Sequence, residues 1–519
     1  MLQHINRQEQ IEQFVVTAQQ MREIEGRVFA AGMPVAALME KVGGLIARRI
    51  ETLYPSSQIQ RIGILVGPGH NGGDALVVAR ELHFHGYEVF IYRPFSKLKE
   101  LTAQHSQYAE SLGIPFVDKI EALQECGLIV DGLFGFGLER SINDAVADAI
   151  NQINQWSQPI ISIDLPSGLH TDTGEVLGTA VRATRTFCLG LWKLAFLQDQ
   201  ALEYLGDAEL IDFDLPLADI SAVLGNPPEI QRVTPGFAIA QLPLPRPPVT
   251  HKYKQGHLLL ICGSRKYAGG AVLSGLGARA SGVGMLSIAV PASLKPILTA
   301  QLPEALVIDC PETDSGAIAH LPELELSSYS AIACGPGLTK DAQPAVETVL
   351  KSDRPLVLDA DGLNILAELG TIPTLSQRQA PTVLTPHTGE FKRLFPNSGD
   401  PTKDRLSVVR DASRQSGAVV LLKGARTAIC HPSGSVCIIP HSTPALARGG
   451  SGDVLTGLLG GLVASPSSLK LPMAAVVSSA AWWHAEAGIL AALERTELGV
   501  DAFTLTQYLL TVVRSHLMR

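Results

Sequence analysis

Residues 444–457, PALARGGSGDVLTG, place a run of small residues and a carboxylate at the start of an apolar helix pattern. Gly449 to Gly452 leave the backbone amides uncovered, and Asp453 follows directly. Free N–H groups at a helix N-terminus bind anions and stabilise the charge that develops on a transferring phosphoryl group. A carboxylate beside them can accept the proton of an attacking hydroxyl. A helix cap with packing glycines would explain Asp453, but not four consecutive small residues.

A second glycine loop, VGPGHNGGD, follows the apolar run RIGILVG and precedes a helix pattern. Gly67, Gly69 and Gly72 have the spacing of a pyrophosphate-binding turn. The next strand pattern ends on Arg93 and lacks the acidic residue that binds a ribose, which disfavours a nicotinamide-dependent dehydrogenase. The other interpretation is a tight strand-to-helix turn capped by Asp74.

Acidic residues end two further strand patterns of the first half. Asp131 lies in VDGLFGFGL and Asp164 in SIDLPSG. Carboxylates at strand ends can hold a cation or transfer protons. A single one is often only a cap, but together with Asp74, Asn71 and Ser167 they indicate a site.

The second half also ends strand patterns on polar residues. Lys423 follows VLL, and an ammonium there can meet a phosphate. VLDADGLN places acids at another strand end. His387, in TPHTGE, is either a ligand contact or a hydrogen-bonded histidine at a strand end. This spacing predicts a nucleotide-using α/β domain.

The elements that position these residues alternate between strand and helix. The 519 residues are 46% hydrophobic and 18% charged, as in globular proteins, and suffice for two or three domains. Helix patterns cover about 17–50, and the alternation that follows predicts mainly parallel sheets covered on both faces. Prolines 243, 245, 247 and 248 predict a linker between two α/β domains.

Composition excludes several classes of function. With a net charge of −9 and no long Lys/Arg run, we expect no nucleic-acid partner. The sequence contains no uninterrupted run of ~18 apolar residues, so we predict no membrane span. The polar start of the chain does not resemble a signal peptide. Seven scattered cysteines without a CxxC pair favour reduced thiols and a cytoplasmic location over disulfides or a zinc site.

The motifs GPGHNGGD, DGLFGFG and SIDLPSG, with the helices QMREIE and LMEKVGG, resemble the NAD(P)H-hydrate epimerase domain. The resemblance implies a Rossmann-like three-layer αβα sandwich over residues 1–225. It further implies a K⁺ site at Asn71, Asp131 and Ser167, with Asp164 and Lys193 as catalytic residues. The implied substrate-binding residues are His70, Asn71, Gly72, Gly73, Asp74, Gly135, Phe136, Gly137, Leu138, Glu139, Arg140 and Ser141. His70 and Lys41 depart from the usual family motifs.

The motifs after residue 256, including CGPGL, TPHTGE, VLLKG and GGSGD, resemble the ribokinase-like ADP-dependent NAD(P)H-hydrate dehydratases. The implied fold is a ribokinase-like αβα sandwich over 251–519, joined by a Pro-rich linker at 226–250. Asp453 would be the base, and Gly270, Gly337 and His387 would contact the hydrated dinucleotide. The implied nucleotide-binding residues are Lys423, Gly424, Ala425, Arg426, Thr427, Gly449, Gly450, Ser451 and Gly452.

Together the two resemblances imply a bifunctional metabolite-repair enzyme. The first domain would interconvert the R and S hydrates of NADH and NADPH. The second would dehydrate the S form with ADP and Mg²⁺, releasing AMP and phosphate. The partners would be the hydrated dinucleotide and the adenine nucleotide, and we expect a homo-oligomer. The alternative is a small-molecule kinase of the ribokinase superfamily with a non-catalytic N-terminal binding domain.

Overall fold

The computed structural model describes residues 7–518. By its internal contacts the chain divides into two units, with the boundary between Pro228 and Glu229. Across the described part of the chain, no single helix is both long and apolar enough to cross a membrane. The two helices 18–30 and 35–53 meet those criteria only as a pair, across a 120° bend.

The first unit is built around a seven-stranded parallel sheet of order β4-β3-β2-β5-β6-β7-β9. Two short strands, β1 and β8, pair separately. Its strands are β1 Val15–Val16, β2 Arg61–Val66, β3 Glu88–Tyr92, β4 Phe116–Val117, β5 Leu128–Gly132, β6 Ile160–Ile163, β7 Arg185–Leu189, β8 Trp192–Lys193 and β9 Asp207–Ile211. Its helices are α1 Arg7–Gln13, α2 Ala18–Ala30, α3 Val35–Leu53, α4 His70–Phe84, α5 Glu100–Ser111, α6 Ala145–Ile153, α7 Leu202–Leu205 and α8 Leu217–Leu224.

The second unit contains a ten-stranded sheet of order β10-β19-β18-β17-β16-β15-β14-β11-β12-β13. Only β18 runs antiparallel to its neighbours. The strands are β10 Ile230–Arg232, β11 His257–Ile261, β12 Met285–Pro291, β13 Leu306–Cys310, β14 Ala331–Cys334, β15 Leu356–Leu358, β16 Thr382–Leu384, β17 Val419–Leu422, β18 Ala428–Cys430 and β19 Val436–Ile438. The helices are α9 Pro235–Ala240, α10 Ala268–Ser281, α11 Lys295–Gln301, α12 Gln343–Leu350, α13 Ala360–Leu369, α14 Thr371–Leu375, α15 Thr388–Leu394, α16 Arg405–Ser416, α17 Ser451–Ala464, α18 Met473–Arg495 and α19 Ala502–Leu517.

The central strands of both sheets are continuous apolar runs because helices cover both faces. Ile62, Ile64 and Val130 are fully buried in the first unit, as are Leu260 and Ala333 in the second. The two α/β domains expected from the alternating patterns are therefore present. In such sheets the loops at the carboxyl ends of the strands form the ligand-binding edge.

The stretch 226–250 differs from the linker expected there. Its strand β10 pairs in parallel with β19, and α9 follows with Ala238 fully buried. Val233 and Leu242 lie in the same hydrophobic core. Residues 243–250 form neither helix nor strand. The strand and helix before them are too short to give a periodic sequence pattern.

Candidate active sites

A cavity of about 640 Å³ opens at the carboxyl ends of the strands of the first unit. The loops after β2, β5 and β6 contribute to its wall, and helix α2 supplies another part. The lining residues with polar side chains are Arg22, Glu25, His70, Asn71, Asp74, Lys99, Arg140, Asp164 and Lys193. Apolar side chains such as Met39 and Phe136 complete it.

A buried ion pair lies at the floor of this cavity. Lys193 Nζ is 2.5 Å from Asp164 Oδ1 and donates a second hydrogen bond to the Leu189 carbonyl. Burial would lower the pKa of Lys193, but the attraction of Asp164 outweighs it, and the pKa is raised. Asp164 also accepts from the amide of Phe136 at 2.8 Å. These donors hold the Asp164 carboxylate in one orientation at the cavity wall.

Asp164 adopts a left-handed backbone conformation, with φ of 70°. Non-glycine residues reach this region at an energetic cost and tend to do so at functional sites. The turn directs the carboxylate toward the loop after β5. A Cβ on Gly135 would lie 2.9 Å from Asp164 Oδ2 and 3.0 Å from Asn71 Oδ1. Only glycine leaves room there, so Gly135 allows Asn71 and Asp164 to approach each other.

Below the cavity, Asp131 lies in a network of hydrogen bonds. Its carboxylate accepts from Ser167 Oγ at 2.6 Å, from the Ser167 amide at 2.9 Å and from Ser162 Oγ at 2.8 Å. Asp131 is fully buried, and within residues 7–518 no ion pair is recorded for it. Burial raises the pKa of its carboxyl, although the hydrogen bonds oppose this shift.

A monovalent cation fits this region by the chemistry of its donors. The carboxylate of Asp131, the hydroxyl of Ser167 and the amide oxygen of Asn71 are hard oxygen ligands. Within residues 7–518, no cationic side chain contributes to the environment of the Asp131 carboxyl. Asn71 Nδ2 is buried without a hydrogen-bond partner. The expected K⁺ would balance the charge of an ionised Asp131 carboxylate. Among the described residues, no group of three or more His, Cys, Asp and Glu side chains could hold a metal ion.

The second candidate site forms around the N-terminus of α17. Gly450 precedes the helix with φ of 91°, and a Cβ there would lie 2.5 Å from Leu273 Cδ1. Asp453 lies in the first turn. A Cβ on Gly270 would be 3.3 Å from Asp453 Oδ2 and 3.6 Å from the Gly337 amide. The structure therefore brings together three residues that were predicted from separate motifs.

The environment of Asp453 suits a general base. Burial raises its pKa to about 6, the nearby Asp359 adds to the shift and Lys423 opposes it. A carboxylate with this pKa is ionised at neutral pH and more basic than an exposed aspartate.

Lys423 and Asp359 form a second ion pair beside the α17 N-terminus. Lys423 Nζ donates to Asp359 Oδ1 at 2.7 Å, and Thr456 Oγ1 donates to Asp359 Oδ2 at 2.7 Å. Glu390 Oε2 is 4.0 Å from the ammonium. Burial would lower the pKa of Lys423, but Asp359 and Glu390 outweigh it and raise the pKa. The ammonium is thus held charged near the free amide groups of the helix.

His387 has a structural contact of its own. Its Nδ1 accepts the Gly389 amide at 2.9 Å, while Glu390 accepts the His387 amide at 2.9 Å, which together form a capping box at α15. His387 Nδ1 is therefore occupied by a hydrogen bond within the chain, and the ligand contact stays a prediction. Nε2, 3.5 Å from Glu390 Oε1, is on the half-exposed side of the ring.

Comparison with known families separates the two units in the same way. Residues 258–510 match the family model described as NAD(P)H-hydrate dehydratase, and residues 35–195 match the YjeF-related protein N-terminus. A bifunctional NAD(P)H-hydrate repair enzyme of Synechocystis sp. is 58% identical over 97% of this chain and 95% of its own length. The enzyme of the same name from Thermosynechococcus vestitus is 54% identical over 96% and 97%. The chain belongs to the bifunctional NAD(P)H-hydrate repair enzymes.

Solved structures are also similar to part of this chain. One of them is the ADP/ATP-dependent NAD(P)H-hydrate dehydratase of Bacillus subtilis, crystallised with ATP and Mg²⁺. It is 33% identical to this chain, and the superposition covers 55% of this chain and 97% of the Bacillus subtilis chain with a TM-score of 0.47. In the bifunctional repair enzyme, we refer to the units before and after the 228/229 boundary as the epimerase domain and the dehydratase domain.

The cavity of the epimerase domain collects most of the residues predicted for it, but not all of them. The predicted residues outside its lining are Gly72, Gly73, Asp131, Glu139, Ser141 and Ser167. Gly72 and Gly73 are buried packing positions, since a Cβ on Gly73 would lie 2.6 Å from Met39. Glu139 pairs with Arg22 at 3.8 Å on the exposed side of the loop.

The loop KGART of the dehydratase domain follows β17. A Cβ on Gly424 would lie 2.5 Å from the Arg405 guanidinium, which itself donates to the Leu422 carbonyl at 3.3 Å. Thr427 Oγ1 donates to the Gly424 carbonyl at 3.1 Å and closes the turn. The predicted residues Ala425 and Arg426 lie in this turn.

Several polar residues around the repair enzyme's two sites were not predicted. Glu25 lines the epimerase cavity. Thr456 supports Asp359, and His484 lies beside Ser451. Each is in a helix and faces a loop distant in sequence, so no local motif identifies it. The only available signal for Glu25 is its helical spacing from Met21 and Phe29.

His484 supports the glycine loop from behind. Its Nε2 is 2.9 Å from the Ser451 carbonyl oxygen and 3.3 Å from Ser451 Oγ. Since a carbonyl can only accept, the proton of the ring is on Nε2. Burial lowers the pKa of His484 to about 4, so the ring is neutral. It holds the peptide that precedes Gly452 in one orientation.

Proposed function

We propose that the two activities of this family member are divided between the two sites described above. The epimerase domain interconverts the R and S hydrates of NADH and NADPH in the cavity that contains Asp164 and Lys193. The dehydratase domain converts the S hydrate to the dihydronicotinamide at the N-terminus of α17. The observation that carries this proposal is the convergence of Asp453, Gly270 and Gly337, which belong to three separate motifs, around one helix N-terminus.

In the dehydratase reaction, the 6-hydroxyl of the S hydrate attacks a phosphoryl group of the adenine nucleotide. Asp453 takes the hydroxyl proton, and the backbone amides of Gly449, Gly450 and Gly452 face the phosphoryl oxygens. Lys423 adds a positive charge beside them. AMP leaves as the phosphate ester forms. The phosphate then leaves with the electrons of the C6–O bond, C5 gives its proton to solvent, and the electrons of the C5–H bond form the C5=C6 double bond.

ADP is the proposed phosphoryl donor, and AMP and phosphate are the products. Mg²⁺ would fit beside Lys423, where the carboxylates of Asp359 and Glu390 lie 2.7 Å and 4.0 Å from the ammonium. Mg²⁺ is usually bound by one or two carboxylates and by substrate phosphates. Asp359 and Glu390 would supply those carboxylates, and the ion would neutralise charge on the nucleotide. K⁺ at Asn71, Asp131 and Ser167 belongs to the same proposal.

In the epimerase domain, Asp164 and Lys193 form the charged floor on which the nicotinamide end of the hydrate binds. The residues 135–141, with His70, Asn71 and Asp74, would hold the rest of the ligand. The cytoplasmic location and the homo-oligomer expected above also rest on the family resemblance.

A single assay tests the proposed function. The purified protein is incubated with a mixture of R and S hydrates, ADP, Mg²⁺ and K⁺, and the absorbance of the restored dihydronicotinamide is followed. We expect complete conversion of both epimers, faster than the spontaneous epimerisation measured without protein. Conversion that stops at the S fraction would contradict the epimerase assignment. The absence of any conversion would contradict the epimerase and the dehydratase assignments.

A further inference from the structure

Helix α2 places one acidic side chain in the epimerase cavity that has no assigned role. Met21, Glu25 and Phe29 lie one turn apart on the face of α2 that lines the cavity. A capping box between Thr17 and Gln20 holds the start of the helix. The family match of this domain begins at residue 35, so α2 lies outside the matched segment.

Three carboxyl groups line the cavity, together with the cationic side chains of Arg22, Lys99, Arg140 and Lys193. Glu25, Asp74 and Asp164 share it with the single buried ammonium of Lys193. Asp164 has that ammonium as its direct partner at 2.5 Å. The described residues provide no hydrogen bond and no ion pair to the carboxyl groups of Glu25 and Asp74. A carboxyl group that is shielded from water and has no partner favours its protonated form.

Two of the three carboxyl groups, those of Glu25 and Asp74, have a raised pKa. Burial raises the pKa of Glu25 to about 7, with Lys193 opposing the shift and Asp164 adding to it. Burial raises the pKa of Asp74 well above its usual value, with contributions from Asp164 and Glu25. Asp164 remains the partner of Lys193. When environments separate carboxyl groups in this way, the separation assigns the acid and the base.

We propose that Glu25 is the acid–base residue of hydrate epimerisation, acting on the C6 hydroxyl while the Asp164 carboxylate stabilises the cation formed next to it. This inference rests on the proposed epimerase function of the domain. The cavity geometry supports it, because the α2 wall and the loop after β6 both border the space in which the ring would bind.

The proposed step conserves atoms and involves no oxidation. The Glu25 carboxylic acid gives its proton to the C6 hydroxyl, the C–O bond breaks and water leaves. The lone pair of N1 forms the C6=N1 bond of an iminium ion. Water then adds to either face of C6 while the Glu25 carboxylate takes back one proton. Addition to the opposite face gives the other epimer, and the enzyme returns to its starting state.

Other charged and titratable groups also face this space. Arg22 lies on α2 itself, and six groups lie on the other walls: His70, Asp74, Lys99, Arg140, Asp164 and Lys193. Burial lowers the pKa of His70, and Lys99 adds to this effect. Of these groups, Asp74 favours the protonated state and Lys193 the charged state. Glu25 is therefore the group expected to change charge near neutral pH.

The test compares Glu25→Gln with Glu23→Gln in the full-length protein. Glu23 is exposed on the same helix and accepts a hydrogen bond from Gln19 at 2.9 Å. The rate of R-to-S conversion is measured from pH 5 to 9 with the dehydratase in excess, after subtraction of the spontaneous rate. For the Glu25 variant we expect kcat to fall on the order of 10²-fold with KM nearly unchanged. In the wild type, kcat/KM should decrease as pH rises through about 7 and Glu25 loses its proton.

The controls separate this inference from the function on which it rests. A wild type that does not epimerise the hydrate contradicts the proposed function. An active wild type with an equally active Glu25→Gln variant overturns the inference alone. The inference is also overturned if Glu25→Gln changes only KM and not kcat. It is likewise overturned if the residual kcat/KM of that variant still decreases as pH rises through about 7. Glu25→Asp retains a carboxyl and should recover part of kcat, while conversion of pure S hydrate by either variant should equal that of the wild type.

Discussion

At the residue scale, the pKa of Asp453 predicts how the dehydratase depends on pH. The base must be ionised, and its pKa is raised to about 6. We therefore expect kcat/KM for the S hydrate to decrease as pH falls through about 6 and to level off above it. Initial rates with pure S hydrate and saturating ADP measure this. A profile without a change between pH 5 and 7 would exclude Asp453 as the group that titrates.

Replacing Asp453 by Asn removes the base and keeps the size of the side chain. We expect kcat for the S hydrate to fall on the order of 10²–10⁴-fold. R-to-S conversion by the same protein should be unchanged, and an unchanged unfolding temperature of the dehydratase domain serves as the folding control. An Asn variant with the activity of the wild type would show that another group accepts the proton.

The Asp164–Lys193 pair also has a predictable effect on stability. Both side chains are buried, so Lys193→Met leaves an uncompensated carboxylate and should destabilise the epimerase domain by about 3–5 kcal/mol. The double variant Asp164→Asn/Lys193→Met removes both charges and should recover most of that loss without recovering R-to-S conversion. Thermal unfolding and the epimerase rate measure the two effects. Recovery of activity in the double variant would give the pair a purely structural role.

At the scale of the elements, glycines bring α10 and α17 into close contact. A Cβ on Gly277 would overlap the Val454 carbonyl, and one on Gly457 would overlap the Ser274 carbonyl. This close approach positions Gly270, at the start of α10, against Asp453. The series of small residues in α10 therefore determines the geometry of the base as well as the packing of the helix.

Gly277→Ala should force the two helices apart. We expect a loss of about 1–3 kcal/mol of stability in the dehydratase domain, as for other overpacked contacts, together with a lower dehydratase kcat. Gly269→Ala, in the first turn of the same helix, has nothing within 4 Å of its Cβ and controls for stability. Equal unfolding temperatures for the two variants would contradict the close contact.

The sequence predicts some elements of this fold better than others. The motifs NGGD, SIDLPSG and VLLKG lie at the ends of strands, as the sequence predicts. A buried parallel strand is recognisable as an apolar run, and ligands of such sheets bind at the carboxyl ends of the strands. Helix α4 begins at His70 and not at Asp74, as its glycines enter the first turn. Glu25 and His484 were missed because tertiary contacts alone bring a helix face to a distant loop.

At the scale of the whole molecule, the two activities reside in separately packed units. A 1:1 mixture of Asp453→Asn with the Asp164→Asn/Lys193→Met variant should therefore convert the complete R and S mixture, because the S hydrate diffuses from one protein to the other. Neither variant alone should convert the complete R and S mixture. The absorbance at the end of the reaction measures this, and conversion limited to the S fraction would show that the two activities must be on the same chain.

The fold class and the two-domain architecture follow from the sequence because strand–helix alternation extends over hundreds of residues. The position of the boundary between the two domains does not follow from the sequence. Prolines indicate where regular structure stops, whereas the boundary depends on which core buries a segment. Residues 229–242 belong to the second core through β10, Val233 and Leu242.

The pairing of β10 with β19 also determines how the chain can be divided. A dehydratase fragment that starts at His251 would lack the strand that covers β19, and it would expose an unpaired edge and the apolar site left by α9. Exposed strand edges promote intermolecular pairing and aggregation. A soluble fragment of this domain should therefore begin at or before Glu229, on the epimerase side of the proline-rich segment.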